Sequence, residues 1–282
     1  MGDRPNGDVG AGGPPSLGEV ELRLPGGRLA GAVRVGDTVR RTAGPWTSTI
    51  HAFLEHLRSV GFPYAPRPMG VDAAGREVLE YVEGDTVADA YPWPDWVWSE
   101  SLLAQVGSAV GALHRAAQTF PLPSSPRWQY AEGSPAPDEI VGHFDLAPYN
   151  VVVRNGRLCA FIDWDLARPL RPRSELAFVA WEWVPLWHPE SARGLGWRTP
   201  PDIERRLGLL FDSYGEVDRA GFVDEVISSV DLRASEITRH AEEGVPGYVR
   251  LVAEGQVRNI ERTGVYLRSH HDELQRLVDR ST

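Results

Sequence analysis

The stretch His143-Phe144-Asp145-Leu146-Ala147-Pro148-Tyr149-Asn150 decides how the rest of this sequence reads, together with Val151-Val152-Val153-Arg154-Asn155-Gly156-Arg157 and the run from Leu158 to Ile162-Asp163-Trp164-Asp165. Asn155-Gly156 between two apolar runs is a strong hairpin signal, because the two central positions of such a turn need positive φ. A hairpin there folds Asn150 and Asp163 to one end of a two-stranded ribbon, and three oxygen-bearing side chains, Asp145, Asn150 and Asp163, converge on one spot. Asp and Asn also favour ordinary turns, but three coincident spacings inside one hairpin argue for chemistry. The set suits phosphoryl transfer, in which a protein mainly positions reactants and neutralises charge. Asp145 can accept the proton of an attacking hydroxyl. Asn150 and Asp163 can hold Mg²⁺ against nucleotide phosphates through hard oxygen ligands. Asp165 reads either as a further metal or water contact or as a turn residue. His143 reads as a scaffold residue bonded to backbone, since Asp145 already fills the proton-accepting role.

Upstream of this segment, residues 1–18 are rich in Gly and Pro and read as a disordered tail. Residues 19–82 form the first folded unit. Strand-like runs at 20–24, 29–35 and 37–41 are separated by Pro25-Gly26-Gly27 and Gly36-Asp37. Thr47 can cap a helix in which Ile50, Phe53, Leu54, Leu57 and Val60 recur at helical spacing. Two further strands, Met69–Val71 and Glu77–Val82, give five strands and one helix. Residues 83–282 are mainly helical, with helices expected near 99–118, 174–186, 202–214, 221–242 and 247–278. Segment 143–165 is set among them.

The 282 residues carry a formal net charge of −10, which argues against nucleic acid or an anionic membrane as the main partner. No apolar run reaches the roughly 20 residues a membrane-spanning helix needs. Every one of the 29 basic side chains is arginine; the chain has no lysine. Residues 1–82 balance at nine acids and nine arginines, so the whole −10 falls after residue 82. The single cysteine, Cys159, excludes an internal disulfide, fits a reducing cytoplasm and reads as inert core. His270-His271-Asp272-Glu273 reads as a solvated terminus, because neighbours on a helix point different ways. Trp93, Trp96 and Trp98, with Trp181, Trp183 and Trp187, make either an aromatic wall for an acceptor or lobe packing.

In the kinase catalytic loop a leucine follows the aspartate and an asparagine lies five residues after it. Asp145, Leu146 and Asn150 keep that spacing. The segment resembles the aminoglycoside phosphotransferase family, the small-molecule branch of the protein-kinase-like fold. The resemblance runs from about Val20 through the Gly26-Gly27 turn, the strand Val35–Arg41, the hinge-like Leu79-Glu80-Tyr81-Val82-Glu83-Gly84 and the helix start Glu175-Leu176-Ala177. It implies an α+β, protein-kinase-like two-lobed fold, with a small β-rich N-lobe and a larger, mainly helical C-lobe. It also implies transfer of the γ-phosphate of ATP or GTP to a hydroxyl of a small molecule, such as an aminoglycoside-like antibiotic. Asp145 would then be the catalytic base, Asn150 and Asp163 the Mg²⁺ ligands, and main chain at Glu80, Tyr81 and Val82 the nucleotide-base site.

Departures from that pattern are also legible. The family's phosphate-orienting lysine cannot exist here, and a strand parity that turns Thr38 to the cleft makes Arg40 its substitute, with Val39 and Arg41 facing away. Ile50 or His51 stands where a helix glutamate is expected, and Phe144 replaces a small residue. The acidic second lobe suggests a cationic acceptor gripped by Glu182, Asp212 and Glu216, the last two sharing a helix face at four-residue spacing. A reading from another class is a catalytically silent relative that binds a ligand or nucleotide without turnover, which the absent lysine and Phe144 favour.

Overall fold

The computed structural model describes residues 20–25, 31–88, 90–197 and 201–281. The tail 1–18 and the Gly26-Gly27 turn lie outside the described residues. The N-lobe is an antiparallel sheet of β1 (Glu21–Arg23), β2 (Ala32–Val35), β3 (Thr38–Thr42), β4 (Pro68–Val71) and β5 (Arg76–Glu80), in the order β1-β2-β3-β5-β4. Between β3 and β4 runs α1 (Thr47–Ser59). Its apolar stripe Ile50, Phe53, Leu54 and Leu57 is fully buried, each side chain contributing about 1.5–3 kcal/mol relative to exposure. Thr47 does not cap this helix; it is the first helical residue, and its hydroxyl accepts from the Gly44 N–H at 2.9 Å. Gly44 matters for another reason. A Cβ there would sit 2.2 Å from the Trp46 ring, so only glycine lets that indole fold back toward the cleft.

The connector after β5 joins the C-lobe through an Asp85–Val153 bridge, with N–H···O distances of 2.7 and 2.9 Å. Ser99 caps α2 (Glu100–Ala117) by accepting the Leu102 N–H. Strand β6 (Ile140–Gly142) leads into the loop carrying Asp145. The hairpin β7 (Val151–Arg154) and β8 (Arg157–Phe161) follows, and β9 (Arg168–Leu170) pairs back with β6. Asn155 and Gly156 both adopt positive φ, 53° and 72°, as the hairpin reading requires. The helices are α3 (Pro172–Trp183), α4 (Pro189–Gly194), α5 (Ile203–Tyr214), α6 (Phe222–Glu242), α7 (Pro246–Ala253), α8 (Gln256–Ser269) and α9 (His271–Arg280). The single helix expected over 247–278 is three. It breaks at Gly255, whose φ is 79°, and at His270, which closes α8 and opens α9. Cys159 is half-exposed on β8 rather than core.

Glu175, on the first turn of α3, ties the core to the catalytic loop. Its Oε1 accepts the Phe144 N–H at 2.5 Å and its Oε2 accepts from His114 Nε2 at 2.8 Å. A carboxylate can only accept, so His114 Nε2 carries its hydrogen toward Glu175, and Nδ1 lies 2.8 Å from the Tyr214 hydroxyl. Phe144 has φ 71°, and the bond from Glu175 holds that unfavourable conformation. Glu175 is 2% exposed. Glu175→Ala strands His114 and the Phe144 amide, and is expected to lower unfolding free energy by about 2–4 kcal/mol in urea titration.

Candidate active site

The β7–β8 hairpin brings its two ends together as anticipated: the Ile162 N–H donates to the Asn150 carbonyl at 2.9 Å, which sets Asp163 beside Asn150. His143 is wholly buried under Trp164, ring centroids 4.4 Å apart. Its Nε2 lies 3.0 Å from the Ile162 carbonyl, and its Nδ1 accepts the Asp145 N–H at 3.3 Å. These two bonds define a neutral imidazole. Burial also holds its pKa below the ordinary value, against the pull of nearby Glu175 and Asp145. His143 fixes the loop.

Asp145 is enclosed by donors. Its Oδ1 accepts from Arg233 Nη2 at 2.9 Å and from the Tyr149 hydroxyl at 3.0 Å, and its Oδ2 accepts from Asn150 Nδ2 at 2.9 Å. Asn150 Nδ2 also donates to the Asp145 carbonyl at 2.9 Å. With its nitrogen held twice by Asp145, the Asn150 amide is oriented and Oδ1 remains as its ligand atom. Asp163 is in the left-handed region, φ 64°, and its carboxylate is 44% exposed. An oriented amide oxygen beside a partly exposed carboxylate fits Mg²⁺, which keeps several waters and takes few protein ligands. No cluster of three or more His, Cys, Asp or Glu suited to a metal occurs among the described residues, so such a site is of this mixed amide–carboxylate kind.

The arginine that faces this spot is Arg41, not Arg40. Arg41 is buried and forked: Nε bonds Glu77 Oε2, Nη1 bonds Asp163 Oδ1 at 2.8 Å, and Nη2 bonds Asp165 Oδ1 at 2.8 Å. Arg40 turns to the other face, where it donates to Thr38 Oγ1 at 2.6 Å and pairs with Asp72 at 3.4 Å. The period of two held, so Thr38 and Arg40 do share a face, but it is the outer one. Val39, the strand's one apolar residue, marked the inner face that it shares with Arg41. Desolvation works against the Arg41 charge, but Asp165, Asp163 and Glu77 outweigh it and hold its pKa above the ordinary value.

The carboxylate partner of this cation comes from the sheet. Glu77 stands directly across from Arg41 in the β3–β5 register, and His51 of α1 reaches Glu77 Oε1 from the helix at 2.9 Å. Asp165 is nearly buried and also accepts from Trp46 Nε1 at 3.1 Å. Burial pushes its pKa up to about 6 despite Arg41. In the hinge-like segment, the Glu80 N–H donates to the Arg67 carbonyl and the Tyr81 N–H to the Asp37 carbonyl, both at 2.9 Å. Of Glu80, Tyr81 and Val82, Val82 keeps a main-chain N–H bonded to no described residue.

Of the acids expected to line the acceptor site, only Glu182 lies near Asp145. It is 3% exposed, and its Oε2 has no hydrogen-bond partner. Burial, then the Asp145 charge, push its pKa up to about 8. Asp212 and Glu216 are exposed and do not share a helix face: α5 ends at Tyr214, and Gly215, with φ 119°, turns the chain before Glu216. In their place two buried arginines stand near the base. One is Arg233. The other, Arg168, lies over the Phe144 ring at 3.3 Å and pairs with Glu236 at 2.7 Å. The connector's tryptophans approach the same region: Trp93 stacks on Trp98 at 5.5 Å and meets Tyr149 edge-on at 6.4 Å.

The two-lobed fold thus gathers Asp145, Asn150, Asp163 and the Arg41–Glu77 pair between its lobes, the arrangement expected of a kinase-type enzyme. Residues 128–209 match the phosphotransferase enzyme family. Over 227 residues the chain is 34% identical to the trifolitoxin immunity protein of Rhizobium leguminosarum bv. trifolii, covering 78% of this chain and 85% of that one. The fold is that of the GDP complex of aminoglycoside 2'-phosphotransferase-IIIa, with TM-score 0.56, 14% identity and coverage of 89% and 95%. It is also that of a choline/ethanolamine kinase family protein from Mesorhizobium loti, with TM-score 0.53, 16% identity and 95% coverage of both chains. This chain belongs to the phosphotransferase enzyme family of aminoglycoside phosphotransferase type.

Two outcomes follow from the site's charges. Arg41→Ala leaves Glu77, Asp163 and Asp165 without their shared cation and is expected to cost about 3–5 kcal/mol in stability, whereas Arg40→Ala on the outer face costs less. Denaturant titration of both variants measures the difference. For Glu182, the folded chain keeps a proton that the unfolded chain releases above its pKa near 4.5. Stability therefore falls as pH rises from about 4.5 to about 8, by up to about 1.4 kcal/mol per unit. Glu182→Gln removes that slope, so its stability relative to the native chain should rise across this window in thermal melts.

Proposed function

We propose that this chain is a Mg²⁺-dependent small-molecule kinase that moves the γ-phosphate of ATP or GTP to a hydroxyl of an antibiotic- or toxin-like molecule. The observation that carries the reading is the pairing of Asp145 with Asn150. An ionised carboxylate has about four acceptor positions. Arg233, Tyr149 and Asn150 use three of those on Asp145, which leaves one on Oδ2 for an acceptor hydroxyl. The bond that shapes the base also frees Asn150 Oδ1 for the metal. Mg²⁺ held by Asn150 and Asp163 would supply charge neutralisation for the phosphates. Arg41 takes the phosphate-orienting role that a lysine has elsewhere in the family, with Glu77 and His51 fixing it from the sheet side. Asp165 steadies Arg41, and the Val82 main chain receives the nucleotide base, flanked by Glu80 and Tyr81. The relative named for immunity to trifolitoxin and the aminoglycoside phosphotransferase neighbour support a protective role through modification of a toxic small molecule.

The Arg233–Asp145 ion pair favours a second reading, binding without turnover, because a base held by a guanidinium is a weaker base. Turnover separates the two. With Mg-ATP or Mg-GTP and a panel of hydroxylated acceptors that includes trifolitoxin, the native protein is expected to release nucleoside diphosphate in an acceptor-dependent way. Asp145→Asn should bind nucleotide within about threefold of native and lose about 10²–10⁴-fold in kcat. An Asp145→Asn variant that turns over at the native rate rules out the base assignment.

A further inference from the structure

We propose that Arg233 is a catalytic residue, supplying from α6 the positive charge on the acceptor side of the transferred phosphoryl group. The inference rests on the kinase reading above. Between the base and the metal-binding amide the loop reads Leu146-Ala147-Pro148-Tyr149 and holds no cation, and the chain has no lysine anywhere. Arg41 is committed on the other side of the site, bonded to Glu77, Asp163 and Asp165. Arg168 is held in its stack on Phe144 by Glu236. The cation that touches the base is Arg233.

Its position is fixed by packing. Val226, Val230, Ala234 and Ile237 form the buried stripe of α6, and Arg233 sits at the edge of that stripe with its side chain 12% exposed. One corner of the guanidinium, Nη2, is 2.9 Å from Asp145 Oδ1 and 3.5 Å from the Tyr149 hydroxyl. Nε and Nη1 bond to no described residue, and neither is among the buried side-chain atoms lacking a partner. A guanidinium in contact with the base carboxylate lies beside the point where the hydroxyl attacks phosphorus, with donors to spare for phosphoryl oxygens.

The pairing makes this charge act when it is needed. In the resting site Asp145 and Arg233 cancel; burial opposes the guanidinium charge, and Asp145 together with Tyr149, Tyr248 and Glu236 outweighs it. During transfer the acceptor's O–H proton passes to Asp145 Oδ2 while its oxygen forms the new P–O bond. The bond from phosphorus to the bridging oxygen breaks, its electron pair leaving on the nucleoside diphosphate. As the carboxylate is neutralised, Arg233 loses its counter-charge and its field falls on the phosphoryl oxygens. An interaction that strengthens as the reaction proceeds is one that accelerates it.

Arg233→Met removes charge and donors; Arg233→Gln keeps a donor for Asp145 but not the charge, so it separates catalysis from positioning. The readouts are affinity for Mg-ADP (or Mg-GDP), affinity for the same diphosphate with aluminium fluoride as a phosphoryl mimic, and hydrolysis of the triphosphate with water as acceptor. Both variants should hold the diphosphate within about threefold of native. Both should bind the aluminium fluoride complex about 10²-fold less tightly and hydrolyse about 10²–10³-fold more slowly. Arg233→Lys should recover part of both losses. If native protein binds both ligands and Arg233→Gln matches it, or weakens both equally, Arg233 has no catalytic role while the kinase reading stands. If native protein binds neither, the kinase reading fails and this proposal with it.

Discussion

The buried guanidinium of Arg41 ties the two lobes together at the site. Its three bonded acids come from β5 and from the segment after β8, so the cation belongs to neither lobe alone. One positive charge among three carboxylates leaves the cluster negative. Trp46 and His51 soften that excess by donating to Asp165 and lying against Glu77. Burial, with Asp163 and Glu77 adding to it, pushes Asp165 up to about 6 despite Arg41. A divalent cation at Asp163 would balance what Arg41 does not. The surplus is thus what the proposed Mg²⁺ and phosphate site would need, rather than a fault in core packing.

Placing the partner carboxylate on a strand has a mechanical consequence. Arg41 and Glu77 are direct cross-strand neighbours, so sheet register alone brings them together. In a design where a helix carries the acid, the pair forms only when that helix is correctly placed. Here α1 is anchored by four fully buried side chains and adds His51 as a supporting contact. The N-lobe side of the site is therefore assembled by folding.

The parts of this site that could be read in the sequence are those set by local rules. Asn155-Gly156 fixed the hairpin, and the hairpin fixed Asn150 against Asp163. Glu175 lies in the first turn of a helix that begins slightly earlier than expected, at Pro172. The failures are of two kinds. Alternation gives two faces without saying which is inward, so it points to Arg40 where Arg41 faces the site, and in Thr-Val-Arg-Arg-Thr the deciding signal is one valine. Gly215 and Gly255 were visible breaks that helical spacing overrode, which cost the Asp212–Glu216 pair and the division of the last helices. The other kind could not be read. Arg41 meets acids 36, 122 and 124 positions away, and Arg233 meets Asp145 across 88. No periodicity encodes such pairings, because they depend on how whole elements pack.

The distribution of charge in the C-lobe follows from the same packing. The lobe carries the entire net negative charge, yet Asp212 and Glu216 are exposed, and the groups close to Asp145 nearly cancel. Arg233 offsets Asp145, Arg168 offsets Glu236, and Glu182 holds its proton below about 8. An acidic exterior acts at a distance: it raises the encounter rate of cations and weakens as salt screens it. A near-neutral interior acts on contact, and there desolvation makes an unpaired charge costly. Around Asp145 the surroundings are therefore the aromatic rings of Trp93 and Tyr149 and paired hydrogen bonds, not unpaired charge. The excess of acids lies outside, where water and salt screen it, and the paired charges lie inside, where each offsets the cost of burying the other.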